Sequence, residues 1–124
     1  MHKLCNIDIR HREAILPELE RFVDRLMAEY TISSVHVFGS FVTGKLHEGS
    51  DIDILIVGEF LDRYVDRVRK VIGLSDLPIE PLVYTNEEFT KKQEDHDPFL
   101  TAILQSAHQM IGSGRDKYCK SLIK

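Results

Sequence analysis

Residues 37–57 read VFGSFVTGKLHEGSDIDILIV, and the fold follows from how this stretch is divided. The run Ser33–Phe38 is short and rich in β-branched residues, and it stops at Gly39-Ser40 as a strand entering a tight turn would. A second strand, Ile52–Val57, is apolar throughout except for Asp53, which predicts a central strand covered on both faces. Asp51 and Asp53 lie two apart, and side chains at i and i+2 of a strand share a face, so both carboxylates converge on one place. An acid inside an apolar central strand is costly unless it is paired or bound to a metal. Two convergent carboxylates therefore predict a cation site. Oxygen ligands suit Mg2+ or Mn2+, which such sites hold together with substrate phosphates. Gly39 lets the backbone approach a phosphate, and Ser40 offers a hydroxyl and an N–H to it. The chemistry expected is transfer from a nucleoside triphosphate with in-line loss of pyrophosphate, two metal ions clamping the reacting oxygens.

Outward from this core, Ile15, Leu19, Phe22, Val23, Leu26, Met27 and Tyr30 recur at helical spacing, with Pro17 in the first turn. Leu4–Ile9 alternates weakly and could add a strand. Phe60–Ile72 carries Leu61, Tyr64, Val65, Val68, Val71 and Ile72 at helical period, with Gly73 as a stop. Pro78–Tyr84 reads as a third strand, and Pro81, lacking an N–H, pushes it to an edge or a bulge. Thr85–Phe89 reads as a short capped helix. Asp97–Met110 reads as a helix with Pro98 at its first position and Phe99, Ile103, Leu104, Ala107 and Ile111 on one face. The order predicts a small α/β (α+β) domain with a mixed central sheet of three or more strands flanked by helices.

A chain of 124 residues fits one domain, 1–124, with its core at about 11–112. Its 43% hydrophobic and 29% charged residues are those of a globular rather than a disordered protein. No apolar stretch approaches the roughly 20 residues that span a bilayer, and the N-terminus has no secretory apolar region, so no membrane partner and a cytoplasmic location are expected. A net charge of −4 without a basic face argues against general nucleic-acid binding. Cys5 and Cys119 have no metal-ligand spacing and read as reduced thiols. The six histidines do not cluster as ligands, and Glu87, Glu88, Glu94 and Asp95 with Lys91 and Lys92 read as a solvated face.

Two decoys fall away. Gly39–Leu46 nearly spells the phosphate loop G-x-x-x-x-G-K-[ST], but Leu46 cannot supply the metal-binding hydroxyl. A calcium loop starting at Asp51 fails because Ile56 stands where it needs glycine. Plainer readings of the remaining residues stay open: Asp51 and Ser40 as turn residues, Glu80 as a solvent-facing strand acid, Lys45 as an ordinary exposed lysine.

Gly39-Ser40 coupled to Ser50-Asp51-Ile52-Asp53 resembles the signature of the DNA polymerase β superfamily, and within it the minimal nucleotidyltransferases. The resemblance runs from the first helix to Met110. It implies a nucleotidyltransferase fold and transfer of a nucleoside monophosphate, usually AMP from ATP, onto a hydroxyl. It also implies a metal set of Asp51, Asp53 and a third carboxylate on the next strand, which by position is Glu80 in LPIEPLVY. That acid also accepts the acceptor's proton. Glu80 departs from the commoner Asp by one methylene, enough to change the rate. The resemblance places nucleotide contacts at Gly39, Ser40 and Ser50. Phe41-Val42-Thr43 stands where arginines are common, leaving Lys45 as the nearest cation. Because the chain ends soon after the core, the acceptor surface is expected from a partner. In the family this is a small HEPN-type helical protein that the transferase modifies and silences, as antitoxin to toxin. Self-association is a second way to build such a surface, and a non-catalytic antitoxin acting by contact is the alternative.

Overall fold

A computed structural model of the chain describes residues 3–39, 42 and 51–111, with side chains from Ile15 to Met110. Helix α1 spans Lys3–Glu29, strand β1 Ile32–Phe38, strand β2 Ile52–Gly58 and helix α2 Tyr64–Gly73. Strand β3 (Ile79–Thr85), helices α3 (Asn86–Glu94) and α4 (Pro98–Ser106), and strand β4 (His108–Ile111) complete the order. The strands form one mixed sheet in the order β3-β2-β1-β4. β1 is antiparallel to both β2 and β4, while β2 and β3 are parallel. The parallel pair needs a crossover, which α2 supplies.

The sheet sorts its residues by strand parity. On one face, Val35, Val37, Ile52, Ile54, Ile56, Ile79 and Val83 pack with Leu19, Phe22, Val23 and Leu26 of α1. On the other, Leu55 and Val57 pack with Leu100 and Ile103 of α4, flanked by Phe38, Leu82, Tyr84 and Phe89. Coverage of both faces explains why β2 reads as a nearly unbroken apolar run. Each such side chain contributes roughly 1.5–3 kcal/mol relative to exposure.

Several sequence expectations change. Leu4–Ile9 is helical rather than a strand, and Pro17 lies inside α1 rather than in its first turn. α2 starts at Tyr64, so Phe60 packs into the core from the preceding loop while Leu61, Val65 and Ile72 are exposed. The helix expected through Met110 ends at Ser106, where Ala107 turns extended (φ −75°, ψ 152°) and the chain pairs with β1 as β4. The edge position expected for β3 is observed.

Two local devices hold the helices. α3 begins with a capping box: Thr85 Oγ1 accepts from Glu88 N (3.1 Å) and Glu88 Oε1 accepts from Thr85 N (3.0 Å). The same carboxylate receives Arg67 of α2, whose Nη1 donates to Glu88 Oε1 (2.8 Å) and to Val83 O (3.1 Å). Arg67 Nη2 donates to Glu88 Oε2 (3.1 Å), and its Nε donates to Asp62 O (2.8 Å). Glu88 is thus only partly solvated, unlike the open acidic face expected there. The buried guanidinium ties α2, β3 and α3 together.

Candidate active site

Asp53 has the parity of Leu55 and Val57, so it faces the α4 side of the sheet. Its register partners are Phe38 on β1 and Glu80 on β3. The row Phe38–Asp53–Glu80 therefore crosses three strands, each about 4.8 Å from the next. This register brings the acid of β3 beside the acid of β2 without any loop taking part.

The two carboxylates are close enough to share a hydrogen bond, and the Asp53 carboxyl is pushed up to about 6. Burial is the largest cause, followed by the hydrogen bond and charge of Glu80 and then the charge of Asp51. Asp51 is exposed and immediately precedes β2. Among the described residues no three His, Cys, Asp or Glu side chains surround a common point as a finished metal cage. The structure pairs Asp53 with Glu80 and leaves Asp51 at their margin.

Gly39 closes the other side. Its φ of +76° belongs to the left-handed region, and Val42 N donates to its carbonyl at 3.1 Å, forming the tight turn expected after β1. A Cβ at Gly39 would lie 3.1 Å from Asp53 Cγ and 3.3 Å from Asp53 Cβ, and would overlap Oδ2. The bare backbone of the turn thus rests against the carboxylate. Ser40, Lys45 and Ser50 lie outside the described residues.

Beyond the acids, where α4 begins, a cavity of about 410 Å3 is lined by Asp53 and Glu80 together with Phe38, Leu82 and Phe99. Phe99 was expected on the packed face of its helix, yet it is 58% exposed and contributes to this cavity instead. Its position directly after Pro98, in the first turn of α4, was the available signal. A first-turn side chain can overhang the end of the sheet rather than pack beneath the helix.

The donor set suits a hard divalent cation, being all oxygen, and at Gly39 no side chain stands between the turn backbone and Asp53. The crowding that raises Asp53 is of the kind a bound cation relieves.

A family described as Nucleotidyltransferase domain matches residues 17–107. A Methanocaldococcus jannaschii protein named as a protein adenylyltransferase is 36% identical over 77 residues, 60% of this chain and 77% of that one. MntA of Haemophilus influenzae, also named as a protein adenylyltransferase, is 34% identical over 82 residues, 63% of this chain and 66% of that one. In three dimensions the chain resembles a crystal structure from Sulfolobus solfataricus described as a nucleotidyltransferase, with TM-score 0.66 and 16% identity over 90% of this chain and 92% of that one. A toxin–antitoxin crystal structure with AMP-PNP gives TM-score 0.53 and 18% identity over 84% and 80%. At these identities the solved structures show the fold alone.

Proposed function

The chain belongs to the nucleotidyltransferase domain family, and from that premise we propose that it transfers AMP from ATP onto a hydroxyl of a partner macromolecule, in a reaction dependent on Mg2+ or Mn2+. The observation that carries the reading is the cross-strand pair Asp53–Glu80 with Gly39 bare against it. Asp51, Asp53 and Glu80 would hold the metal ions. When bound, these neutralise phosphate charge and sharpen the acceptor hydroxyl as a nucleophile. Gly39 admits the triphosphate beside Asp53, with Ser40, Ser50 and Lys45 of the neighbouring segment as its further contacts. The acceptor oxygen bonds to the α-phosphorus, the bond from that phosphorus to the pyrophosphate oxygen breaks, and the acceptor's proton passes to the Glu80 carboxylate.

The partner is a HEPN-type helical protein, with this chain acting as the antitoxin that silences it. Two relatives named as protein adenylyltransferases support transfer onto a protein, and one structural neighbour is described as a toxin–antitoxin structure; the HEPN type of the partner rests on the sequence resemblance. The test is incubation with each α-labelled nucleoside triphosphate, Mg2+ or Mn2+ and the partner, beside Asp53→Asn. Label on the partner with the wild type only is expected, and Asp53→Asn should melt no lower than wild type, because it removes carboxylate crowding rather than packing. Absence of label with every nucleotide, while both versions bind and silence the partner equally, would replace transfer with neutralisation by contact.

A further inference from the structure

Phe99 is the second residue of α4, and its backbone is fixed. Pro98 precedes it, and the Asp97 carboxylate accepts from its N–H at 3.0 Å. The ring, by contrast, is 58% exposed. It lines the same cavity as Asp53 and Glu80, with Phe38 and Leu82 as the other walls among the described residues. Among these residues one wall is therefore anionic and the rest apolar, and at about 410 Å3 the cavity falls in the range of small-molecule sites. A ligand suited to both walls has a group that approaches the acids through a cation and an uncharged, flat remainder. A nucleotide has this construction, its base standing one ribose away from the α-phosphate. A side chain of a macromolecular acceptor would have to bring its backbone to the cavity as well.

We propose that Phe99, with Phe38 and Leu82, is the seat of the nucleobase, and that this seat selects for ring size rather than base identity; the proposal rests on the nucleotide-transfer reading above. The three side chains carry no hydrogen-bonding group, so they cannot read the donor and acceptor pattern of a base edge. Stacking and dispersion remain, and these tolerate any base because every base has a π face. Purines, with the larger face, bind more tightly than pyrimidines. Phe99 holds the base in place, and through it the α-phosphate beside the acids.

Titration calorimetry of wild type, Phe99→Ala and Phe99→Trp in Mn2+ with ATP, GTP, CTP, UTP and tripolyphosphate tests this. Phe99 is largely exposed, so both variants should melt with the wild type. Phe99→Ala is expected to weaken ATP and GTP about tenfold and to leave tripolyphosphate unchanged, with Phe99→Trp restoring the loss. Wild type should bind ATP and GTP within about threefold of each other, and both more tightly than CTP or UTP. Equal weakening of tripolyphosphate, or no weakening of any nucleotide, overturns the seat. So does a preference for ATP over GTP beyond about tenfold, which requires hydrogen-bond readout of the base. If Phe99→Ala spares every nucleotide but raises the acceptor's KM, the shelf belongs to the acceptor. Failure of wild type to bind either ATP or tripolyphosphate removes the transfer reading itself, and the seat with it.

Discussion

Gly39→Ala should damage the site more than the fold, and the structure gives the size of both effects. At φ +76° an alanine costs about 1–2 kcal/mol relative to glycine. The new Cβ would also overlap Asp53 Oδ2, with Asp53 Cγ at 3.1 Å. Something must move, and β2 cannot, because Ile52 and Ile54 on either side are buried to within 1%. The Asp53 carboxylate therefore rotates away from Glu80, which at neutral pH separates two like charges and adds no loss of stability of its own. The backbone cost of about 1–2 kcal/mol corresponds to a fall of about 5 °C in Tm for a domain of this size. Displacing the carboxylate by about 1 Å should lower the transfer rate about a hundredfold. Calorimetric melting and label transfer to the partner measure the two effects separately. Gly73→Ala is the control: nothing lies within 4 Å of its added Cβ at the end of α2, so it should gain about 0.5–1 kcal/mol. A Gly39→Ala protein that melts and transfers like wild type would refute the reasoning. A lowered Tm with wild-type transfer would show that the turn is strained but that Asp53 does not answer to it.

Arg67→Ala leaves Glu88 and the Val83 carbonyl without their shared donor; because Glu88 is 43% exposed and can rehydrate, the loss in urea unfolding should be about 2–3 kcal/mol rather than more. Arg67 also holds the Glu88 carboxyl below its ordinary range, so this stabilisation is present above the unfolded carboxyl's pKa and is lost as pH falls through the lowered one; an acid limb of equal depth in Arg67→Met would contradict the pairing. His36 on β1 is buried against Phe89 (ring centroids 6.5 Å apart), and burial lowers its pKa. The unfolded chain then takes up the proton first, and stability falls as pH drops below about 6.5. The raised Asp53 acts in the opposite sense, so the quantity to measure is the difference between wild type and His36→Phe in urea titrations from pH 7.5 to 5; a difference constant with pH would exclude His36. His96 sits at φ +55° after α3, where Asp97 N donates to Lys92 O (3.0 Å) in the manner of a helix-ending loop. His96→Gly should therefore stabilise by about 1 kcal/mol in urea unfolding, and no gain would mean that the histidine side chain compensates for its backbone.

Much of the fold was legible because its signals were local. β2 announced itself as a buried run, Pro81 placed β3 at an edge, and Asp97-Pro98 marked the start of α4. What was missed depended on distant partners. Six residues of weak alternation at Leu4–Ile9 cannot separate a period of 2 from one of 3.6, and they form the start of α1. Ile103, Leu104, Ala107 and Ile111 continue a helical pattern, yet the free side of β1 takes His108–Ile111 as a strand. Arg67 belongs to a residue type that is mostly exposed, yet its place one turn before Val71 puts it on the inner face of α2.

The acids show the same division between parity and register. Spacing in the sequence gives the face on which Asp53 lies, and the third strand gives an acid, but neither says that they meet. Their meeting follows from the parallel pairing of β2 with β3, which sets Ile52 beside Ile79, Asp53 beside Glu80 and Ile54 beside Pro81. A slip of one residue along β3 would turn Glu80 into the face filled by Ile79 and Val83 and bring those apolar residues to the cavity. Burying Ile79 and Val83 against α1 excludes that slip, since an unpaired carboxylate on that face would cost several kcal/mol. The core on one side of the sheet thus fixes the spacing of the carboxylates on the other, and the site inherits its geometry from residues that never touch it.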